Sequence, residues 1–450
     1  MENEQVLERH GLFNARVPRF TSYPPANRFE AGTGQRHQPE WLSTIQPGEP
    51  LSVYVHIPFC KRLCWFCACR TQGTQTLRPV AAYVDTLIQE VQALSTHLPT
   101  GVALSRLHLG GGTPTLLDAR LMDRLIQSLF DHFPTAADFE FSVEIDPTEA
   151  EHDVLESLAA WGLGRASVGV QDFAPKVQEA IGRIQSFEQT EKIIKRLRRM
   201  GVASINLDLL YGLPHQTDES LDETLTKVLS LSPDRLALYG YAHVPHISKR
   251  QVMIDRENLP APRARYHLAA NAAQRLLNRG YEPIGIEHFA LPEDSLAIAA
   301  RSGRLRRNFQ GYTDDPCETL IGIGASAISR FREGYTQNAA ATAAYSERIQ
   351  TTGLAAHRGY AFTSRDQLIA QMIEDLMCRN VLDLDKTRSQ FPSLTKRIDR
   401  IADRLTENFQ GAVVPNGQTI AVHPQARSLT RIIAAALSEG DGAPTGSLAI

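Results

Sequence analysis

The sequence predicts an α/β fold: a parallel sheet curled into a partial (β/α)6 barrel of the TIM type, with an N-terminal arm and a small, mostly helical C-terminal domain. Six short apolar or β-branched runs recur at intervals of about 30 residues, and segments with apolar residues at helical spacing lie between them. This alternation is typical of βαβ units around a parallel sheet. Because such crossovers are right-handed, six in succession bend the sheet towards a barrel.

The size and charge of the chain indicate a broad class of protein. Its 450 residues are 42% hydrophobic and 22% charged, as in soluble globular chains of more than one domain. The net charge of −3 gives no global basic field, so we expect no nucleic-acid partner. The sequence has neither a signal-peptide pattern nor an apolar run long enough to span a membrane. We therefore expect a cytoplasmic protein, with a monomer as the default.

Changes of pattern divide the chain into five parts. Residues 1–50, with several prolines and little periodicity, are predicted to be an arm wrapped on the main domain. Residues 51–335 form the predicted barrel, residues 336–364 an Ala- and Thr-rich linker, residues 365–440 the C-terminal domain, and residues 441–450 a disordered tail. The six predicted barrel strands are Leu51–Ile57, Leu104–Leu109, Phe139–Ile145, Arg165–Val170, Ile205–Tyr211 and Arg235–Tyr241.

The first barrel strand leads into four of the six cysteines of the chain. Cys60, Cys64, Cys67 and Cys69 fall within ten positions, at the spacing C-x3-C-x2-C-x-C. Three closely spaced thiolates can hold a four-iron cluster and leave one iron open to a substrate or cofactor. Cys69 then lies beside the cluster. The alternative is a zinc site, although structural zinc usually takes two separated ligand pairs and the sequence has no second pair.

The next two strands end in a glycine loop and in a carboxylate. Gly110-Gly111-Gly112-Thr113 would let a ligand approach the backbone closely, because glycine has no side chain to obstruct it. Glu144 could accept hydrogen bonds from ribose hydroxyls, as acidic residues after strands do in nucleotide sites. Taken alone, the first could be a tight turn and the second a solvated or helix-capping carboxylate.

Polar residues follow the later strands as well. Gln171, Arg183 and Asp208 lie at or just after successive strand ends, where the loops of a barrel form its site. The planar guanidinium of Arg183 suits recognition of a carboxylate by two hydrogen bonds. Each residue alone could be structural or exposed, so only the series indicates a site.

The chain resembles the oxygen-independent coproporphyrinogen III oxidases, which are radical S-adenosylmethionine (SAM) enzymes of haem biosynthesis. The C-x3-C-x2-C spacing is the pattern of the radical SAM superfamily, and the other matching segments follow in the order of the family. They are PRFTSYPPA (18–26), YVHIPFCKRLCWFCAC (54–69), LHLGGGTPT (107–115), SVEIDP (142–147), GVQDF (169–173), NLDLLYGLPHQT (206–217), YAHVP (241–245), RNFQGYT (307–313) and GIGASAIS (322–329). The resemblance implies a partial (β/α)6 barrel with an arm and a small C-terminal domain.

The resemblance also implies roles for particular residues. Cys60, Cys64 and Cys67 would bind a 4Fe–4S cluster, and Cys69 would be required for turnover without being a ligand. A SAM molecule on the cluster would be contacted by Tyr54, Gly111, Glu144 and Ile328. A second SAM molecule would lie in a pocket formed by Phe66, Gly112, Thr113, Gln171, Arg183, Asp208 and Ala242.

The activity implied by the resemblance is oxidative decarboxylation of two propionates of coproporphyrinogen III to vinyl groups, giving protoporphyrinogen IX. A radical would abstract a β-hydrogen, and the substrate would pass an electron to a terminal acceptor as CO2 leaves. An electron donor such as flavodoxin or ferredoxin would be needed. Two alternatives are a haem-binding trafficking protein of the related branch and a paralogue acting on another tetrapyrrole. Cys69 and the PRFTSYP arm favour the enzyme over the haem carrier.

The chain departs from the family pattern near the expected substrate side. Gly182 stands where Asn is common, Glu287 where Asp is common, Leu291 where a basic residue is common, and 379–381 differ from the usual order. A nearby cluster of four arginines, at positions 301, 304, 306 and 307, would suit a substrate with four carboxylates. For at least two of the four, a solvated basic surface is the alternative.

Overall fold

The strands of the fold are defined by a computed structural model that describes residues 2–438 and 446–450. The strands are β1 (Arg16–Val17), β2 (Glu30–Ala31), β3 (Pro50–Ile57), β4 (Phe59–Cys60), β5 (Gln72–Gly73), β6 (Ala103–Gly111), β7 (Thr135–Ile145), β8 (Leu163–Gln171), β9 (Ser204–Tyr211), β10 (Arg235–Gly240), β11 (Glu282–Ile284), β12 (His288–Ala290), β13 (Arg306–Asn308), β14 (Gly311–Thr313), β15 (Thr319–Ile323), β16 (Ile328–Arg330), β17 (Gly334–Asn338), β18 (Ala356–Ala361), β19 (Val381–Asp383), β20 (Val413–Asn416), β21 (Thr419–Val422) and β22 (Ser447–Leu448).

The helices alternate with the strands through the barrel and then dominate the C-terminal domain. They are α1 (Glu4–Arg9), α2 (Thr33–Ser43), α3 (Arg78–His97), α4 (Ala119–His132), α5 (His152–Ala160), α6 (Pro175–Ala180), α7 (Phe187–Arg199), α8 (Asp218–Ser230), α9 (Pro262–Asn278), α10 (Ser295–Arg301), α11 (Thr342–Thr352), α12 (Ser364–Arg379), α13 (Leu384–Gln390), α14 (Thr395–Asn408) and α15 (Thr430–Leu437).

The six predicted barrel strands are neighbours in one sheet. Strands β3, β6, β7, β8, β9 and β10 pair in parallel in that order, and β15 pairs in parallel with the other side of β3. Antiparallel strands extend both edges, ending at β11 on one side and β2 on the other. These two edges do not pair with each other in the described part of the chain, so the barrel is partial, as predicted.

The barrel strands are buried because helices cover the outer face of the sheet. Val53 and Val55 in β3 and Leu107 and Leu109 in β6 are all nearly inaccessible to solvent. Helix α4 packs Leu125 and neighbouring apolar residues into the same core. Burying each such side chain contributes about 1.5–3 kcal/mol. The carboxyl ends of the parallel strands therefore form a rigid edge on which a site can be built.

The predicted linker is part of the main sheet, which corrects the prediction for 336–364. Strands β17 and β18 pair antiparallel with each other, and β17 pairs with β16. Helix α11 lies between them and buries Tyr345 completely. The Ala- and Thr-rich composition conceals these strands because their stability comes from sheet pairing rather than from an apolar pattern of their own.

The N-terminal arm joins both bodies of the protein. Helix α2 packs against β17 and β18, and β2 extends the main sheet. The earlier part of the arm lies in a second core with the C-terminal domain, to which it contributes Leu7, Leu12 and Phe13. The arm is therefore not an independent domain. Its contact with the C-terminal domain was not predicted from the sequence.

The C-terminal domain combines α12–α15 with a small antiparallel sheet of β19, β21 and β20, in which β20 and β21 form a hairpin. Residues 441–445 of the predicted disordered tail lie outside the described residues. For 446–450 the structure corrects the prediction, because β22 pairs with β1 of the arm and Ile450 is buried. None of the described helices is both long and apolar enough to cross a membrane.

A buried carboxylate ties β15 to two helices. Glu90 in α3 is inaccessible to solvent and accepts hydrogen bonds from the Tyr345 hydroxyl (2.6 Å), the Gly324 backbone N–H (2.7 Å) and the Asn338 side-chain amide (2.7 Å). Burial raises the pKa of Glu90 to about 7, even though these hydrogen bonds favour the carboxylate. Glu90 thereby fixes the loop after β15 at the carboxyl edge of the sheet.

Glu90→Gln should change how thermal stability depends on pH. Because the pKa of Glu90 is higher in the folded than in the unfolded chain, its contribution is fully present below about pH 4.5 and is lost as the pH rises through about 7. Between pH 5 and pH 8, the free energy of unfolding of the variant should therefore rise by up to about 3 kcal/mol relative to that of the wild type. Melting temperatures of the two apo-proteins across this range test this. Glu347→Gln, an exposed change on α11, is the matched control and should give the wild-type pH profile.

Candidate active site

A cavity of about 340 Å³ opens at the carboxyl ends of the parallel strands. Most of the predicted site residues line it: Cys60, Cys64, Phe66, Cys67, Cys69, Gly111, Gly112, Thr113, Glu144, Gln171, Arg183 and Asp208. These residues come from six different loops and strand ends, so only the folded sheet brings them together. The predicted series of polar strand ends thus converges on one cavity.

The cysteines lie on the loop that follows β3. Cys64 is buried, Cys60 and Cys67 are partly buried, and Cys69 is exposed. A hydrogen bond from the Cys69 thiol to the Cys67 sulfur lowers the pKa of Cys67 and raises the pKa of Cys69. Burial raises the pKa of Cys60 to about 11. The loop therefore presents three thiols to the cavity, with a fourth thiol in contact with one of them.

Two segments from later in the chain hold the cysteine loop in place. After β10, the Ser248 hydroxyl donates to the Cys67 carbonyl (2.8 Å), and the Gln251 amide donates to the Phe66 carbonyl (2.8 Å). After α6, the Ile181 carbonyl accepts from the Trp65 backbone N–H (2.9 Å). The loop is thereby fixed on two sides, which a ligand set for a cluster requires.

The glycine loop and Glu144 form the adjoining wall. Glu144 accepts a hydrogen bond from the Gly111 backbone N–H (2.9 Å), and its other oxygen lies 3.4 Å from His108 Nε2. Burial alone would raise the pKa of Glu144, but His108 and the Gly111 N–H lower it overall. A Cβ atom at Gly112 would lie 2.5 Å from the Phe59 carbonyl oxygen, so the backbone there leaves no room for a side chain. Glu144 is therefore held ionised beside a bare backbone.

The three predicted polar strand ends occupy the far wall. Arg183 is buried and donates to Asp146 (3.0 Å) and to the Gly169 carbonyl (2.9 Å), with its NH1 3.6 Å from the Cys64 sulfur. Asp208 accepts from Ser167 (2.9 Å) and Asn206 (2.8 Å), and burial raises its pKa to about 6. Gln171 has a φ of +69°, a strained backbone conformation of the kind found at binding sites.

Three predicted contacts do not line this cavity. Tyr54 lies behind the glycine loop, with its ring stacked on His108 and its hydroxyl 2.9 Å from His56 Nδ1. The Ala242 carbonyl accepts from Gln251, the residue that also holds the cysteine loop. Ile328 is the first residue of β16, which pairs antiparallel with β15. None of these three side chains lines the cavity.

The arginine cluster separates into surface and buried members. Arg301 is exposed and pairs with Glu282 (2.6 Å), and Arg304 is also exposed, so these two form a solvated surface. Arg306 pairs with Glu318 and Glu374, and Arg307 is buried against Glu287 (2.9 Å). Arg306 and Arg307 line a second cavity of about 340 Å³, between the arm, the barrel and α12, and Thr313 lines both cavities.

Sequence reasoning missed the residues that brace the cysteines. Ser248, Arg250 and Gln251 lie far along the chain from the cysteine loop and have no motif of their own. Trp65 was also missed, although the sequence held a signal for it: Gly182 departs from the family pattern. Gly182 has a φ of +65°, and a Cβ atom there would lie 2.8 Å from the Trp65 ring. The missing side chain at 182 makes room for Trp65.

The donor set fits an iron–sulfur cluster. Such clusters are bound by thiolates, and nearby cations favour the thiolate over the thiol. Arg183 lies against Cys64, and the charge of Arg250 lowers the pKa of Cys60 and Cys67. Among the described residues, no three His, Cys, Asp or Glu side chains are placed around a common point as a single metal ion would require.

The fold and the three-cysteine loop define a radical SAM protein. Comparison with known families agrees, because the model of the Radical SAM superfamily matches residues 54–228. Proteins of this class hold a 4Fe–4S cluster and SAM, and Cys60, Cys64 and Cys67 are the residues of this chain that fit the cluster.

The relatives identify the family within this class. The chain is 51% identical to an oxygen-independent coproporphyrinogen III oxidase of Cereibacter sphaeroides over 96% of both chains, and 48% identical to that of Paracoccus denitrificans over 99% of both. The solved structure of coproporphyrinogen III oxidase from Escherichia coli matches with a TM-score of 0.89 and 38% identity, covering 94% of this chain and 97% of that one. The chain belongs to the family of oxygen-independent coproporphyrinogen III oxidases.

Gly182→Ala should impair assembly of the cysteine loop. The added Cβ would push against the Trp65 ring and loosen the contact between the loop and the Ile181 carbonyl. We expect a shifted tryptophan emission in the apo-protein and at least a twofold loss of iron and sulfide bound on anaerobic reconstitution.

Gly201→Ala is the matched control for backbone strain. Gly201 has a φ of +86°, but nothing lies within 4 Å of its Cβ position. If both variants lose iron equally, backbone strain rather than contact with Trp65 explains the effect.

Proposed function

We propose that this protein catalyses the oxidative decarboxylation of two propionate side chains of coproporphyrinogen III, giving protoporphyrinogen IX without oxygen. The observation that carries the proposal is the meeting of the three-cysteine loop, Cys69 and the polar strand ends in one cavity. Nearly full-length similarity to oxidases of this name supports it. None of the relatives cited here bears the name of a haem carrier, and Cys69 is present.

The reaction removes hydrogen from an unactivated carbon, which no side-chain acid or base can do. When bound, the cluster and SAM supply radical chemistry. The chain's own residues bind and orient the reactants. The bare backbone at Gly111 and Gly112 allows close approach, and the ionised Glu144 can accept hydrogen bonds from ribose hydroxyls or an amino group. We assign the contacts of the first SAM molecule to this wall, together with Tyr54 and Ile328.

A second SAM molecule is assigned to Arg183, Asp208, Gln171, Phe66, Gly112 and Thr113, all of which line the cavity, and also to Ala242. In the present arrangement the guanidinium of Arg183 is paired with Asp146, and Asp208 is already bonded to Ser167 and Asn206. A ligand carboxylate at Arg183 would therefore compete with Asp146 or share the guanidinium with it.

The second cavity suits the outer part of a tetrapyrrole. Phe20, Tyr23, Phe309 and Tyr335 provide aromatic walls. Four arginines also line this cavity: Arg330, and Arg306, Arg307 and Arg332, which are ion-paired with glutamates and would share their guanidinium groups with a substrate carboxylate. Thr313 links this cavity to the cysteine cavity. We propose that propionates that do not react extend towards these arginines while a reacting propionate reaches the cysteine cavity.

The reaction also needs partners for electrons. Each propionate loses a hydrogen atom, CO2 and one electron as it becomes a vinyl group, so a terminal electron acceptor must take that electron. A one-electron donor, such as flavodoxin or ferredoxin, must reduce the cluster. We propose that the protein works as a monomer in the cytoplasm.

The proposed activity can be tested with the reconstituted protein. Under anaerobic conditions it should convert coproporphyrinogen III to protoporphyrinogen IX when supplied with SAM, a reductant and an electron acceptor. Porphyrin fluorescence after oxidation of the products follows the reaction. Protein with an intact cluster that yields neither protoporphyrin nor a monovinyl intermediate would refute the proposal.

Cys69→Ser should separate cluster binding from turnover. Because Cys60, Cys64 and Cys67 suffice as ligands, we expect the absorption and EPR spectra of the cluster to persist while turnover falls at least a hundredfold. Cys64→Ser, at a buried ligand position, is the comparison and should lose the cluster itself. Loss of the cluster in Cys69→Ser would instead make Cys69 a ligand.

A further inference from the structure

The surface around the cysteine loop is unusually apolar. Ile184 is 56% exposed, Ile247 69%, Val252 73% and Met253 60%. We call these four residues the apolar patch. They are the four most exposed large hydrophobic side chains among the described residues. Exposed apolar residues concentrated in one region indicate an interaction site, whereas scattered ones need no explanation.

Both segments that carry the apolar patch are hydrogen-bonded to the cysteine loop. Ile247, Val252 and Met253 flank Ser248 and Gln251, which donate hydrogen bonds to the carbonyls of Cys67 and Phe66. On the other side, the Ile184 carbonyl accepts a hydrogen bond from Arg62 NH1 (2.9 Å). A partner bound to the patch would therefore contact residues that are themselves next to the cysteine loop.

Two segments next to the apolar patch are basic, although Asp255 and Glu257 follow the second one and the protein as a whole carries a net charge of −3. Neither residues 61–78 nor residues 244–254 contain an aspartate or a glutamate. These two segments carry Lys61, Arg62, Arg70, Arg78, Lys249 and Arg250. Lys61 pairs with Glu149 (3.0 Å), whereas exposed Arg70 and Lys249 have no carboxylate partner among the described residues.

We propose that the apolar patch and its basic rim are the docking surface for a small acidic redox protein that delivers electrons to the cluster. The inference rests on the proposed function, because that function requires a one-electron donor at the cysteine loop. Charge complementarity selects an acidic partner, and electron transfer over a short distance requires that the partner sit over this loop. A patch of this kind suits the small interfaces of transient electron-transfer complexes, which bury less than about 1,200 Å².

Charge placed within the patch should slow electron delivery. The test uses reconstituted protein and a reduced acidic flavodoxin, with the oxidation of flavodoxin followed by stopped-flow absorbance. Val252→Glu and Met253→Glu should each slow cluster reduction by flavodoxin at least tenfold, because they bury a carboxylate against an acidic partner. Reduction by dithionite, which needs no docking surface, should keep the wild-type rate.

Salt dependence tests the basic rim separately. Because steering by charge is screened by salt, the wild-type rate with flavodoxin should fall as ionic strength rises. Lys249→Glu should lower the rate at low salt and flatten this dependence. A wild-type rate that does not change with salt would contradict the charge complementarity on which the proposal depends.

Ile298→Glu is the matched control. Ile298 is 42% exposed in α10, just after Asp294, which pairs with Arg235 at the amino end of β10 (2.6 Å). It therefore lies at the opposite end of the sheet from the cysteines, and its variant should be reduced at the wild-type rate. Equal slowing in Ile298→Glu and Met253→Glu would overturn the assignment.

Binding and oligomeric state provide readouts that do not depend on the cluster. Titration of the apo-protein with flavodoxin at low salt should show binding that Met253→Glu weakens at least tenfold. Light scattering should give the same mass for wild type and variant. A wild-type dimer that Met253→Glu converts to monomers would overturn the proposal, because a second copy would then be the occupant. If dithionite-reduced protein does not turn over the porphyrinogen, the proposed function is refuted but the docking surface is not. This holds because cluster reduction and flavodoxin binding are both measured without substrate.

Discussion

The active site depends on one constraint, that a short loop must keep three thiols facing a cavity while its backbone is supported from outside. The loop itself cannot provide this support, because its own residues form only the brief strands β4 and β5. Support comes from two other segments, through the Ile181 carbonyl on one side and through Ser248 and Gln251 on the other. Each segment follows a strand of the sheet, so the stability of the parallel core is transmitted to the cysteines.

The same constraint explains the electrostatics of the cavity. Thiolates need nearby cations, and Arg183 and Arg250 come from the two supporting regions. Glu144 remains ionised because His108 and the Gly111 N–H outweigh the cost of burial. The cavity thus presents both the carboxylate of Glu144 and the guanidinium of Arg183, which suits a zwitterionic cofactor with both an amino and a carboxylate group.

The parallel strands and the clustering of the cysteines at one cavity could be predicted from sequence because their signals are local. Each barrel strand is an apolar run, and the cysteines lie within ten positions of one another. The strands β17 and β18 could not be predicted, because small and polar residues form them and pairing with neighbours stabilises them. The pairing of β22 with β1 joins residues near the two ends of the chain and likewise leaves no local pattern.

The residues that line the cavity could largely be predicted, but the residues that support them could not. Twelve predicted residues line the cavity, whereas Tyr54, Ala242 and Ile328 lie behind or beside it. The contact between Trp65 and Gly182 could not be predicted, because the departure at Gly182 does not show which side chain fills the space it leaves. Bracing residues become visible only when distant parts of the chain are placed together in space.

We propose, as the central claim, that Cys60, Cys64 and Cys67 hold four irons and leave one of them open to SAM. Electron–nuclear double resonance on the reduced, reconstituted protein tests it most directly, with SAM labelled by ¹⁵N in its amino group and ¹⁷O in its carboxylate. The account predicts hyperfine coupling of both labels to the cluster, unchanged in Cys69→Ser. A spectrum without coupling from either label, in protein with a full complement of iron and sulfide, would contradict the claim.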